Sequence, residues 1–162
     1  MNADNIAAGL SPFNAASVAI EAGRIMLTRI EDLLQNGEDF AIETTLASRS
    51  YVDLINRARG KGYKIKLIFF WLSSPEEANE RVAIRVSKGG HHIPSDVVRR
   101  RYYRGIKNLL DLYFRICNYW TLVNNMETVP EIICEGEFDL PQMIYNHDIW
   151  NTIKEQGNGT TA

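Results

Sequence analysis

Residues 64–72, KIKLIFFWL, limit what this chain can fold into more than any other stretch. They are apolar, rich in branched and aromatic side chains, and too short to cross a membrane. Such a run reads as a strand covered on both faces, and that kind of strand belongs inside an α/β layer fold. The next segment, SSPEEANERVAIRVSKGG (73–90), agrees with this by predicting a helix. Ser74 caps it, Pro75 suits its first turn, and Glu76 and Glu77 lie where the helix dipole favours negative charge.

The same pattern repeats along the chain. Val18, Ala22, Ile25, Met26, Leu33 and Leu34 recur at helical spacing, which predicts a helix over 14–36 that stops at Gly37. DFAIETT (39–45) predicts a short strand. SYVDLINRARGKGY (50–63) predicts a helix closed by Gly60 and Gly62. A fourth helix runs from near Pro94 to about Cys117, with Tyr102, Ile106, Leu109, Leu110, Tyr113 and Ile116 as its apolar stripe. YWTLVNN (119–125) and EIICEG (131–136) predict strands, and LPQMIYNHDIWNTIKEQ (140–156) a last helix. Strands alternating with helices predict an α/β fold with a mostly parallel sheet. One domain over 1–155 is expected, with 156–162 as a flexible tail. Residues 87–94, SKGGHHIP, read as a lid within that domain.

Composition excludes several classes. Apolar residues make up 45% of the 162, enough for a core, and a net charge of −2 does not suit a generic polyanion binder. There is no run of ~18 apolar residues, and no basic start followed by an apolar stretch, so no membrane span and no secretory signal are expected. Cys117 and Cys134 lack metal-ligand spacing and read as core thiols in a reduced, cytoplasmic setting. Trp71, Trp120 and Trp150 read as core or rim residues. The lysines of GKGYKIK form no phosphate loop, and that stretch reads as a turn.

Three groups could carry chemistry. In open α/β sheets, ligands gather beyond the carboxyl ends of the strands. Glu43, Thr44 and Thr45 follow one predicted strand. Asp4, in NADNIAAGLSP, reads as part of a loop after another strand, on the same edge. The plain alternative for Glu43 and the threonines is capping of the next helix. Arg81, Arg85, Arg99, Arg100, Arg101 and Arg104 flank the Gly-Gly loop. Guanidinium forks suit phosphate oxygens, and a glycine-rich loop can bring them over a ligand. For any single arginine, a solvated pair with Glu76, Glu77 or Glu80 is the simpler account; for the cluster, phosphate contact is favoured. His91 and His92 are adjacent and cannot both face one metal, so no metal site is expected.

In this order the pieces resemble the zeta-toxin-like P-loop kinases. The resemblance rests on NADNIAAGLSP, FAIETTL, RVAIRVSKGGHHIPSDVVRRRYYR and YWTLVNN. It implies a three-layer, P-loop-kinase-like parallel sheet flanked by helices, with ATP and Mg as cofactors. The family's Gly-x-x-x-x-Gly-Lys-Ser/Thr motif is not found in this chain, so the chain reads as one that begins after the N-terminal strand and P-loop. By resemblance, Asp4 is the general base for the substrate hydroxyl. Glu43, Thr44, Thr45 and His91 position substrate. Arg85, with Arg100 or Arg101, steadies the transferred phosphoryl group, and Asn125 lies on the nucleotide side. The resemblance also implies a small-molecule hydroxyl acceptor such as a UDP-amino sugar, and an antitoxin protein as partner. Self-association is expected from a sheet lacking a central strand. Two other readings compete: a non-catalytic, antitoxin-binding remnant, and a nucleic-acid binder using the arginine-rich helix. Glu76, Glu77, Glu80, Glu127, Glu131, Glu135 and Glu137 argue against the second.

Overall fold

The computed structural model describes residues 1–90, 92–138 and 143–159. They fall into two compact units. One holds Met1–Thr44 with a short stretch from Gly89. The other holds Thr45–Lys88 and the described residues from His92 onward.

In the first unit, α1 (Ala3–Leu10), a 3-10 turn (Ala15–Val18) and α2 (Ala19–Asn36) pack together. Ala22, Met26, Ile30, Leu33 and Leu34 form the buried stripe of α2, and Gly37 ends it at φ 72 in the left-handed region. Two expectations change here. Asp4 lies in the first turn of a helix rather than in a loop, because Asn2 caps that helix: its side chain accepts from the Asp4 N–H. DFAIETT forms no strand. Its extended pairing includes Met1, whose amino group donates to Ala41 O while the Glu43 N–H donates to Met1 O at 2.9 Å. That is the bonding pattern of one parallel bridge opposite Ile42.

The second unit is built on four strands: β1 (Lys66–Trp71), β2 (Tyr119–Asn124), β3 (Glu131–Glu137) and β4 (Met143–Ile144), ordered β1-β2-β3-β4. The sheet is mixed. β1 pairs parallel with β2, but β2–β3 and β3–β4 are antiparallel, so the mostly parallel sheet is corrected. The reason is local: β3 follows β2 through a short connection, which permits only an antiparallel return. The helices are α3 (Ser50–Gly60), α4 (Pro75–Ser87), α5 (Ser95–Asn108), α6 (Phe114–Ile116) and α7 (His147–Asn158), with a π turn at Leu109–Tyr113 joining α5 to α6. Ser74 caps α4 as expected, accepting from the Glu77 N–H at 3.2 Å. The predicted last helix is shorter than expected: Met143 and Ile144 are strand, and the helix starts only after Asn146 caps it.

One face of the sheet makes the core. Trp71, Trp120, Leu122, Ile133 and Cys134 pack there with Ile106, Leu109, Tyr113, Trp150 and Ile153 from the helices. All three tryptophans are buried, and Phe114 stacks on Trp120 with centroids 4.1 Å apart. Gly136 is required beside that ring, since a Cβ would overlap the indole. The second face corrects the reading of β1. Leu67, Phe69 and Trp71 turn inward, but Ile68 and Phe70 remain 48% and 57% exposed. An apolar run fixes strand character, but not how many faces are covered.

Candidate functional site

In the first unit, Asn2 ties two candidate carboxylate residues together. Its Oδ1 accepts from the Asp4 N–H at 2.8 Å, and its Nδ2 donates to Glu43 Oε2 at 2.5 Å. The Asp4 backbone and the Glu43 carboxylate thus share one small side chain, with the Met1–Glu43 backbone bond running alongside. Asp4, Glu43 and Thr44 are all exposed. Sequence reasoning missed Asn2, although its signal was readable: an Asn two residues before an Asp, at the start of a helix, is a capping pattern.

In the second unit, Thr45 begins a loop that α5 holds from below. Leu46 has φ 57, a left-handed conformation that a branched-chain residue adopts only at a cost of about 1–3 kcal/mol. Its side chain is buried, and its carbonyl accepts from Asn108 Nδ2 at 2.7 Å. Tyr113 Oη donates to Ser48 O at 2.7 Å. Gly105 completes the seat, because any Cβ there would overlap the Thr45 carbonyl oxygen. Gly105, Asn108 and Tyr113 therefore set the backbone of the threonine loop. None of them stood out in sequence, since each could belong to an ordinary helix face.

The carboxyl ends of β1 and β2 are also held. Tyr102 Oη donates to Leu72 O at 2.8 Å. Gln156 accepts from Trp71 Nε1 at 3.0 Å and donates to Ser73 O at 2.8 Å. Asn125 N donates to Trp71 O at 3.1 Å. Asn124 is buried and caps the turn after β2, accepting from the Met126 N–H at 3.2 Å. Burial pushes the Tyr102 phenol well above its ordinary value, which suits a neutral donor.

The arginines divide into two groups. Arg81 donates to the Asn125 carbonyl, and Arg99 pairs with Glu76 at 3.1 Å, joining α5 to α4. Arg99 thus makes the glutamate pair expected of a single arginine, whereas Arg81 holds a backbone carbonyl instead. Arg85, near the end of α4, is exposed. Arg100, Arg101 and Arg104 are exposed on α5 and have no ion pair among the described residues. α4 ends at Ser87, Gly89 turns the chain at φ 92, and α5 starts at Ser95. His91, expected to position substrate, lies outside the described residues. Cys117 and Cys134 are buried free thiols, pushed up by desolvation to about 11 and about 12, so neither supplies a thiolate near neutrality.

The zeta toxin family model matches residues 2–116, and the chain belongs to that family. Membership points to a P-loop-kinase-like function with nucleotide binding. The chain is also 28% identical over 102 residues to an uncharacterized protein of Haemophilus influenzae, an overlap covering 63% of this chain and 73% of that one. No solved structure matches. No helix among the described residues is long and apolar enough to cross a membrane.

Proposed function

We propose that this chain carries the acceptor-binding and phosphoryl-steadying parts of an ATP-dependent kinase that phosphorylates a hydroxyl of a small molecule, a UDP-amino sugar being the family precedent. The observation that carries the reading is the Asn2 bridge between the Asp4 backbone and the Glu43 carboxylate. The Asn2 side chain caps α1 and at the same time holds the Glu43 carboxylate, which keeps the start of the Asp4 helix beside Glu43. That arrangement suits a base and a positioning group that must keep their places.

The roles come from the chemistry of phosphoryl transfer, which needs alignment and charge more than covalent help. Asp4 accepts the proton of the attacking hydroxyl. Glu43, Thr44 and Thr45 orient the acceptor through hydrogen bonds. Arg85 and one of Arg100 or Arg101 lay guanidinium forks on the transferring phosphoryl oxygens. His91 contacts the acceptor, and the Asn125 side chain faces the nucleotide. No group of three or more His, Cys, Asp or Glu side chains among the described residues could hold a metal ion by itself; magnesium carried in on phosphate oxygens needs only one or two protein oxygens. The sequence also contains no Gly-x-x-x-x-Gly-Lys-Ser/Thr. Tight triphosphate binding by these residues alone is therefore not expected.

The test measures phosphate transfer from ATP to UDP-amino sugars. It uses the 162-residue chain and the same chain fused to a strand–P-loop–helix segment of about 30 residues. The fused chain should transfer phosphate, and Asp4→Asn should lower its kcat at least ~100-fold while leaving ATP affinity unchanged. Full activity in Asp4→Asn would overturn the assigned base. The lack of a phosphate-cradle motif in these 162 residues favours one second reading, a non-catalytic module that binds an antitoxin. Nucleotide titration separates the two, since a fused chain that neither binds nor turns over ATP fits only the module.

A further inference from the structure

At the amino end of the β1–β2 pair lies a cleft of about 410 Å³ that the kinase reading does not use. Asn56, Arg59, Tyr63, Lys64 and Asn118 line it, with the glycines at 60 and 62 between them. Two of these side chains are cationic and none is a carboxylate. Arg59 is half-buried, and its guanidinium stands 4.7 Å from the centre of the Phe138 ring. Neither Arg59 nor Lys64 has an ion pair among the described residues; the neighbouring carboxylate on α3, Asp53, is taken by Arg57 at 3.1 Å. The ring engages one face of the guanidinium and leaves its in-plane N–H fork for an anion.

The rest of the cleft is suited to such an anion. The Asn118 side chain accepts from the Ile65 N–H at 2.8 Å, which fixes the amide and leaves its NH2 group as a donor. Gly62 turns the chain at φ 91, a conformation that keeps this wall as bare backbone. A Cβ at Gly60 would meet only open space.

We propose that this cleft binds a small phosphomonoester. The Arg59 fork takes two phosphate oxygens, Lys64 adds a point charge, and Asn118 donates to a third oxygen. Tyr63 supplies a flat wall for the ester's organic part. The volume is enough for a ligand of nucleoside-monophosphate size. The six-residue length of β1 puts the cleft about 20 Å from the strand ends that Arg81 and Asn125 mark, so this site stands or falls separately from the kinase reading.

The test titrates the full chain with inorganic phosphate and with adenosine monophosphate, by calorimetry and by NMR of the backbone amides. Saturable shifts are expected at residues 60–64 and 118. Arg59→Gln and Lys64→Gln should each weaken binding about tenfold, and Lys154→Gln, an exposed cation on α7, should leave it unchanged. Tighter binding of the monophosphate than of phosphate makes the ester the ligand; equal binding makes it free phosphate. Lys64 is exposed, so its variant keeps the test valid if Arg59→Gln loses stability. Unsaturable shifts at millimolar ligand, or binding that survives both Arg59→Gln and Lys64→Gln, overturn the proposal.

Discussion

The two ends of the β1–β2 pair are made by the same two strands, yet they use polar groups in opposite ways. At the carboxyl end four polar side chains are employed on the backbone. Tyr102, Gln156, Arg81 and Asn124 each hold a named backbone group in place. At the amino end Asn118 holds the start of β1, but the cations Arg59 and Lys64 hold no carboxylate among the described residues. Arginine count is therefore a poor guide to a site. Arg81 and Arg99 fall in the cluster that sequence singles out, and both have structural partners. Surplus charge is informative only after the internal partners are subtracted.

The largest effect comes from pH, because it acts on three desolvated groups at once. Burial raises Cys117 from 9.0 to about 11, with Arg59 opposing the shift, raises Cys134 from 9.0 to about 12, and raises Tyr113 from 10.0 to about 12. All three folded values lie above the unfolded ones. Stability is thus fully present below pH 9 and is lost as pH rises from about 9 to 12, where the unfolded chain sheds protons that the folded chain keeps. Urea midpoints measured from pH 8 to about 11 should fall steadily, and a flat profile would show that the thiols are not buried as described.

Gly105→Ala comes next. It forces α5 away from the Thr45 carbonyl and should cost about 3 kcal/mol. A thermal midpoint equal to that of the parent would mean the threonine loop is not seated on α5. Asn108→Ala removes the donor to Leu46 and leaves a buried carbonyl with a left-handed backbone, for about 2 kcal/mol by denaturant titration. Tyr102→Phe deletes the bond to Leu72 and should cost about 1 kcal/mol. Arg59→Gln should change stability by less than about 0.5 kcal/mol, since no carboxylate among the described residues depends on it. A loss as large as that of Tyr102→Phe would erase the difference between the two ends.

The sequence by itself determined the local elements. Ser74-Pro75 announced α4, Gly37 ended α2, and KLIFFW became β1, because capping, left-handed turns and branched apolar runs act within a few residues. The arginine-rich helix and the FAIETTL stretch also carried enough pattern to lead to the family. Tertiary structure alone decided the rest. It left one face of β1 open, returned β3 antiparallel, and kept DFAIETT out of the sheet. It also assigned Asn2, Gly105 and Asn108 to groups far away in the chain or on another element, and it left Arg59 with an aromatic ring rather than an acid beside it. The physical reason is range. Propensity and capping are settled between neighbours, whereas burial, strand partners and ion pairing depend on which distant residues arrive to exclude water.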